Sequence, residues 1–167
     1  LLGAFESETR VHGDDGLSGI DLPPGGAPRA ELAADAIRRI ARESSEPIVL
    51  IGVAPATNLA LAIAAEPAIL PKIERIVLMT GAWGEGNKTP AAEFNAWNDP
   101  EALAIVLACG RPITLATLEL TAQALCKPEH IARLRAKGGG QCLRWACDIM
   151  ATVPHAKRLG RSEEHTS

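Results

Sequence analysis
The apolar positions fall into two periodicities along the chain. From Ala30 to Glu43, Leu32, Ala33, Ala36, Ile37 and Ile40 recur three and four apart, while Arg38, Arg39 and Arg42 take the other side. That spacing predicts an amphipathic helix. Pro47 then precedes the continuous run Ile48–Ile51, and Arg75–Met79 and Pro112–Ala116 are two more short apolar runs next to breakers. Short continuous runs of this kind predict buried parallel strands. Between them lie predicted helices at Leu59–Ala65, with Thr57-Asn58 as the cap, and from Pro100 to Cys109, with Asp99 as N-cap and Gly110 as the stop. Two further helices are predicted from Pro128 to about Ala136 and from Gln141 to Ala151. Strands alternating with helices specify an α/β domain with an open, mainly parallel sheet flanked by helices.

Residues 1–29 are rich in Gly, Asp and Pro, which predicts turns. The segments that follow the three strands are Gly52–Asn58, Thr80–Asn98 and Ala116–Gln123. They carry the functional expectation, because ligands of open α/β sheets bind outside the carboxyl ends of the strands.

Composition narrows the classes. The 167 residues are 47% apolar and 22% charged, a globular balance. Seventeen Lys and Arg against 20 Asp and Glu leave a net charge of −3, which excludes an electrostatic footprint for nucleic acid. Aromatic content of 3% argues against a base-stacking surface. No apolar run reaches the roughly 18 residues of a membrane span. Cys109, Cys126, Cys142 and Cys147 form no C-x-x-C pair, so a zinc site is disfavoured. They read as buried free thiols of a reducing compartment, and a cytoplasmic protein is expected.

The segment after the second strand has unusual chemistry. Asn87, Glu93 and Asn95 put two amides and a carboxylate within nine residues. Vicinal hydroxyls of a sugar need this inventory, since carboxylates accept from hydroxyls and amides both donate and accept. Glu93 and Asn95 are two apart, so an extended stretch would project them to one side. By composition alone, a solvated polar loop is the competing reading. Trp83 lies in the same segment, where packing and contact with a base are both open.

The run from Met79 to Ala102, M-x-G-(x)4-G-N-x-T-P-x-A-E-F-N-(x)3-D-P-E-A, resembles the signature of the inosine–uridine-preferring nucleoside hydrolases. Val11-His12-Gly13-Asp14-Asp15-Gly16-Leu17 with Leu22-Pro23, Val53–Ala60, and Pro112-Ile113-Thr114 with Glu119-Leu120-Thr121 are similar to three further family segments. Order and spacing agree over about residues 10–136. The sequence departs from the family pattern at Ala54 and Thr80, each in place of Gly, at Ala56 in place of Leu, at Glu119 in place of Asp, and at Ala96-Trp97-Asn98.

The resemblance implies hydrolysis of the N-glycosidic bond of ribonucleosides to ribose and free base, with a calcium ion at the site. Calcium suits such work because it takes six to eight oxygen ligands in flexible geometry. By the same resemblance, Asn87 and Glu93 hold the 5′-hydroxyl end of ribose, Asn95 binds the lower hydroxyls and Met79 lines the pocket. Val53 gives calcium its main-chain carbonyl, and His12 lies beside the base or leaving group. The acidic D-x-D-x-x-x-D-D motif and the His-Asp pair that the resemblance also implies have no match here. Asp14, Asp15 and His155 do not take those roles.

Residues 1–160 are therefore expected to be a partial hydrolase domain, cut from a full-length parent that is calcium-dependent and a homo-oligomer, and inactive in isolation. The last seven residues, Arg161–Ser167, match the in-frame translation of a common sequencing-library adapter and are read as read-through. A non-catalytic ribose- or nucleoside-binding module is the alternative. The reading frame upstream of Leu1 separates the two: an acidic motif there makes the parent an enzyme. A different α/β hydrolase or transferase finds no support, since neither a G-x-S-x-G elbow nor a P-loop is present.

Overall fold
A computed structural model describes residues 14–17 and 19–152. The chain divides into two compact units. Among the described residues, one unit holds Pro28–Gln123 and the other holds residues 14–17, 19–27 and 124–152.

The first unit carries a parallel sheet of three strands in the order β1 (Ile48–Gly52), β2 (Ile73–Met79), β3 (Ile113–Ala116). Helices α1 (Ala33–Glu43), α2 (Thr57–Ala65) and α4 (Pro100–Leu107) alternate with the strands, and α2 packs against both α1 and α4. This is the open parallel sheet flanked by helices that the alternating pattern predicts. Leu50, Ile76 and Ile113 stand in register across the three strands and belong to one apolar cluster with residues of these helices. Ile73, Ile76 and Leu78 of the central strand are buried, as are Ala41, Ala62 and Val106 of the helices. The opposite edge-strand positions, Val49 and Ile51, are exposed.

Several boundaries differ from the sequence expectation, each for a local reason. The first helix begins at Ala33, and its packed stripe is Ala34, Ile37 and Ala41, one position round from the predicted face. Leu32 and Ile40 are exposed instead. Strand β2 starts two residues earlier, at Ile73. The register slips between Ile48 and Val49, so Glu74 has no partner on β1, and Glu74 and Arg75 are consecutive exposed residues. An irregularity of that kind masks the strand's start in the apolar pattern. Pro67–Lys72 forms a 3-10 turn that the two prolines concealed.

Helix α2 starts at Thr57 itself, behind Ala56, without a side-chain cap. The Thr57 hydroxyl donates instead to Asp99 Oδ2. The predicted cap at Asp99 is present: its Oδ1 accepts from the Ala102 N–H at 3.2 Å. The loop read as Thr80–Asn98 contains a short helix, α3 (Phe94–Asn98), and the one after β3 contains α5 (Leu118–Thr121).

In the second unit, α6 (Pro128–Ala136) and α7 (Gln141–Thr152) pack on each other. Arg135 and Asp148 form an ion pair between them at 2.7 Å. Asp15 carboxylate oxygens accept from the Leu17 and Gly19 N–H groups, closing the turn that the Gly-Asp composition predicts. The cysteines correct the expectation of buried thiols. All four are free, but Cys147 alone is buried, while Cys126 and Cys142 are exposed. Among the described residues no helix is long and apolar enough to cross a membrane.

Candidate sugar-binding site
Strand β2 ends at Met79, and the chain then turns at Gly81, whose φ is +79°. Glycine is the residue that adopts this conformation without strain. The loop runs out and returns to α3. Its return is a tight turn in which the Gly86 N–H donates to the Pro90 carbonyl and the Lys88 N–H to that of Ala92. A Cβ on Gly86 would lie 2.3 Å from the Ala92 backbone, so the turn closes only over glycine. The spacing G-N-x-T-P thus has a steric cause.

The turn delivers Glu93 to the start of α3 as its N-cap, 2% exposed. Its carboxylate gathers four donors. Oε1 accepts from the Asn95 N–H at 2.8 Å, and Oε2 accepts from the Ala96 N–H and Gly81 N–H at 3.0 Å and the Thr80 hydroxyl at 3.1 Å. One buried carboxylate therefore ties the helix start to the end of β2. Asn95, 9% exposed, crosses the same gap by donating from Nδ2 to the Met79 carbonyl at 2.9 Å. Asn87 accepts at Oδ1 from the Phe94 N–H at 2.8 Å. Beside the loop, the Lys88 ammonium stands 4.5 Å from the centre of the Trp97 ring.

Met79, Asn87, Glu93 and Asn95 are thus drawn together at the carboxyl end of the central strand. The reason differs from the sequence argument. Glu93 and Asn95 are not on an extended stretch; one caps a helix and the other sits in its first turn, which turns both inward. Ala54, Ala56, Leu78, Thr80, Asn95 and Leu103 line a narrow crevice here.

Val53 lies one residue past β1, with its side chain exposed. Its carbonyl is a single oxygen, and among the described residues no three His, Cys, Asp or Glu come together to hold a metal. Calcium takes six to eight oxygens, so the described residues do not by themselves fit the ion. His12 falls outside the described residues.

Three residues that support the site escaped the sequence argument. Thr80 is buried beneath Glu93. Thr57 signals only as a helix cap yet reaches Asp99, 42 residues away. Glu119 stood out only as a departure from a pattern, and its Oε1 accepts from the N–H groups of Trp83 and Gly84.

The family model of the inosine-uridine preferring nucleoside hydrolases matches residues 1–165. A pyrimidine-specific ribonucleoside hydrolase RihA of Shewanella baltica is 49% identical over 127 residues, 75% of this chain and 40% of that protein. Its namesake from Salmonella schwarzengrund is 45% identical over 129 residues, 77% of this chain and 42% of that protein. Among solved structures, a plant nucleoside hydrolase, PpNRh1, matches with a TM-score of 0.78 at 27% identity, over 89% of this chain and 47% of that one. An inosine-uridine preferring nucleoside hydrolase from Bacillus anthracis matches with a TM-score of 0.67 at 29% identity, over 75% of this chain and 44% of that one. The chain spans about two fifths of the length of the curated relatives it matches. With its sheet, its loop and its polar cluster in this arrangement, the chain belongs to the inosine-uridine preferring nucleoside hydrolase family.

Proposed function
We propose that this chain carries the ribose-binding wall of a ribonucleoside hydrolase, and that the whole protein cleaves the N-glycosidic bond of a pyrimidine ribonucleoside. The observation that carries the reading is the convergence of Asn87, Glu93 and Asn95 at the carboxyl end of β2. The RihA relatives at 45–49% identity favour a pyrimidine base.

The hydrogen bonds already made decide what each side chain offers. Asn95 has Nδ2 on the Met79 carbonyl and presents Oδ1 as an acceptor. Asn87 has Oδ1 on the Phe94 N–H and presents its amide as a donor. Glu93 Oε2 takes three donors, so Oε1, with one, keeps capacity for a hydroxyl. Two acceptors and a donor suit sugar hydroxyls, which both donate and accept. Held rigidly by the helix and strand, they orient the ribose without reorganising, which lowers the entropic cost of reaching the reactive geometry.

Breaking the bond between C1′ and the base nitrogen also needs an activated water. Glu93 is committed to four hydrogen bonds and is no base for that water. Calcium is proposed for the whole protein, with the Val53 carbonyl as this chain's contribution and the other ligands outside the described residues. His12 is proposed beside the base.

A reducing-sugar assay with uridine tests the reading. The full-length protein containing this segment releases ribose, and the 167-residue chain alone does not. Ordinary turnover by the chain, or none by the full-length protein, contradicts it.

A further inference from the structure
Glu119 lies in α5, at the carboxyl end of β3, and reaches the loop that leaves β2. Its Oε1 accepts from the Trp83 N–H at 3.0 Å and from the Gly84 N–H at 2.9 Å. A parallel backbone bond runs from the Leu118 N–H to the Gly81 carbonyl at 3.1 Å. The Gly84 N–H, with the Thr117 hydroxyl and further amides including that of Trp83, pulls the carboxyl down to about 2. Bonds from N–H to an ionised carboxylate are the stronger kind.

The position of this grip is informative. At one end of the loop, the Gly81 N–H is held by Glu93, and at the other, Asn87 is held by Phe94. Between them stands Trp83, whose side chain is 89% exposed and therefore supplies little packing to fix the loop. A crest of this kind stays ordered through its backbone or not at all. The Glu119 carboxylate meets two successive backbone donors there.

We propose that Glu119 is a positioning residue: by holding the Trp83 and Gly84 amides it sets the path of the loop, and so the place of Asn87 at the sugar. The grip itself stands on geometry, while its consequence for the sugar rests on the function proposed above.

Amide hydrogen exchange on the chain and on E119A and E119Q tests it. In E119A the Trp83 and Gly84 amides exchange about tenfold faster, with Ile76 and Leu78 in the sheet unchanged. E119Q keeps an acceptor oxygen in the same shape and recovers part of the protection. In the wild type the protection holds at neutral pH and fades as pH falls through about 2, because a depressed carboxyl loses its stabilisation only on protonation. Equal rates in wild type and E119A overturn the grip, as does a loss that E119Q does not reduce.

Titration with methyl β-D-ribofuranoside is the second arm. E119A binds it about tenfold more weakly than wild type, and E119Q falls between. Faster exchange with unchanged sugar affinity overturns the positioning role. Faster exchange with no sugar binding by the wild type sinks the sugar-site reading and leaves the grip standing.

Discussion
Glu93 shows how far a single residue is legible. Its type and its place in E-F-N mark it as functional, and the structure does bring it beside Asn95 and Asn87. What the pattern hides is that the carboxylate is first a structural group. It accepts the Asn95, Ala96 and Gly81 N–H groups and the Thr80 hydroxyl, at 2% exposure. Spacing alone argues for an extended pair, and the helix N-cap is visible only once Thr80 and Gly81 are seen beneath it. The chemistry makes a sharp prediction. In Glu93→Gln, one of the two oxygens becomes an NH₂ that must face an N–H donor on either side of the group. Although isosteric, the variant is expected to lose about 2–3 kcal/mol, the scale of a buried charged hydrogen bond replaced by a clash of donors. Urea unfolding checks it: a midpoint unchanged from wild type sinks the committed-carboxylate account.

At the scale of elements, the three strands and the longer helices follow from the apolar pattern, because burial on one face imposes it. The boundaries do not. Glu74 interrupts the apolar run of β2 by an unpaired position, and Pro67 and Pro71 read as breakers while forming a 3-10 turn. Helices α3 and α5, of five and four residues, are too short for a periodicity to register. The joint at Asp99 is half legible. Its capping role follows from D-P-E, but its second oxygen accepts from Thr57 at the head of α2, a long-range bond no local pattern carries. Asp99 is 1% exposed and links the starts of α2 and α4. Asp99→Ala removes a cap and strands a half-buried hydroxyl, and is expected to cost about 2–3 kcal/mol. Asp99→Asn keeps the oxygen for Ala102 and sets its NH₂ against a hydroxyl that also accepts, so it costs about 1 kcal/mol. Thermal unfolding of the pair separates the two roles: an unperturbed Asp99→Asn means that Thr57 contributes nothing, and equal losses mean that the Ala102 cap contributes nothing.

At the scale of the whole molecule, the order of motifs along the chain carries the family, and the fold agrees. Three loops leave the carboxyl ends of three parallel strands, and the polar cluster sits on the central one. Hydrogen bonds tie Asn87, Glu93 and Asn95 to the end of β2 and the start of α3 beside Met79, and a sugar site there is the proposal made above. Of the metal ligands implied by the resemblance, only the Val53 carbonyl was expected on this chain, and among the described residues no three His, Cys, Asp or Glu come together. In the function proposed above, sugar orientation and water activation are separable parts of the work, and this chain supplies the first.

The most direct test of that division is a titration of the ¹⁵N-labelled chain with methyl β-D-ribofuranoside and with its 2-deoxy counterpart. Ribofuranoside binding is expected with a dissociation constant of about 1 mM, or about −4 kcal/mol. Its shifts are expected to centre on the amides of residues 79–96, and the 2-deoxy sugar is expected to bind more weakly through the loss of one hydroxyl. Shifts absent from that segment, or equal affinity for the two sugars, contradict the account.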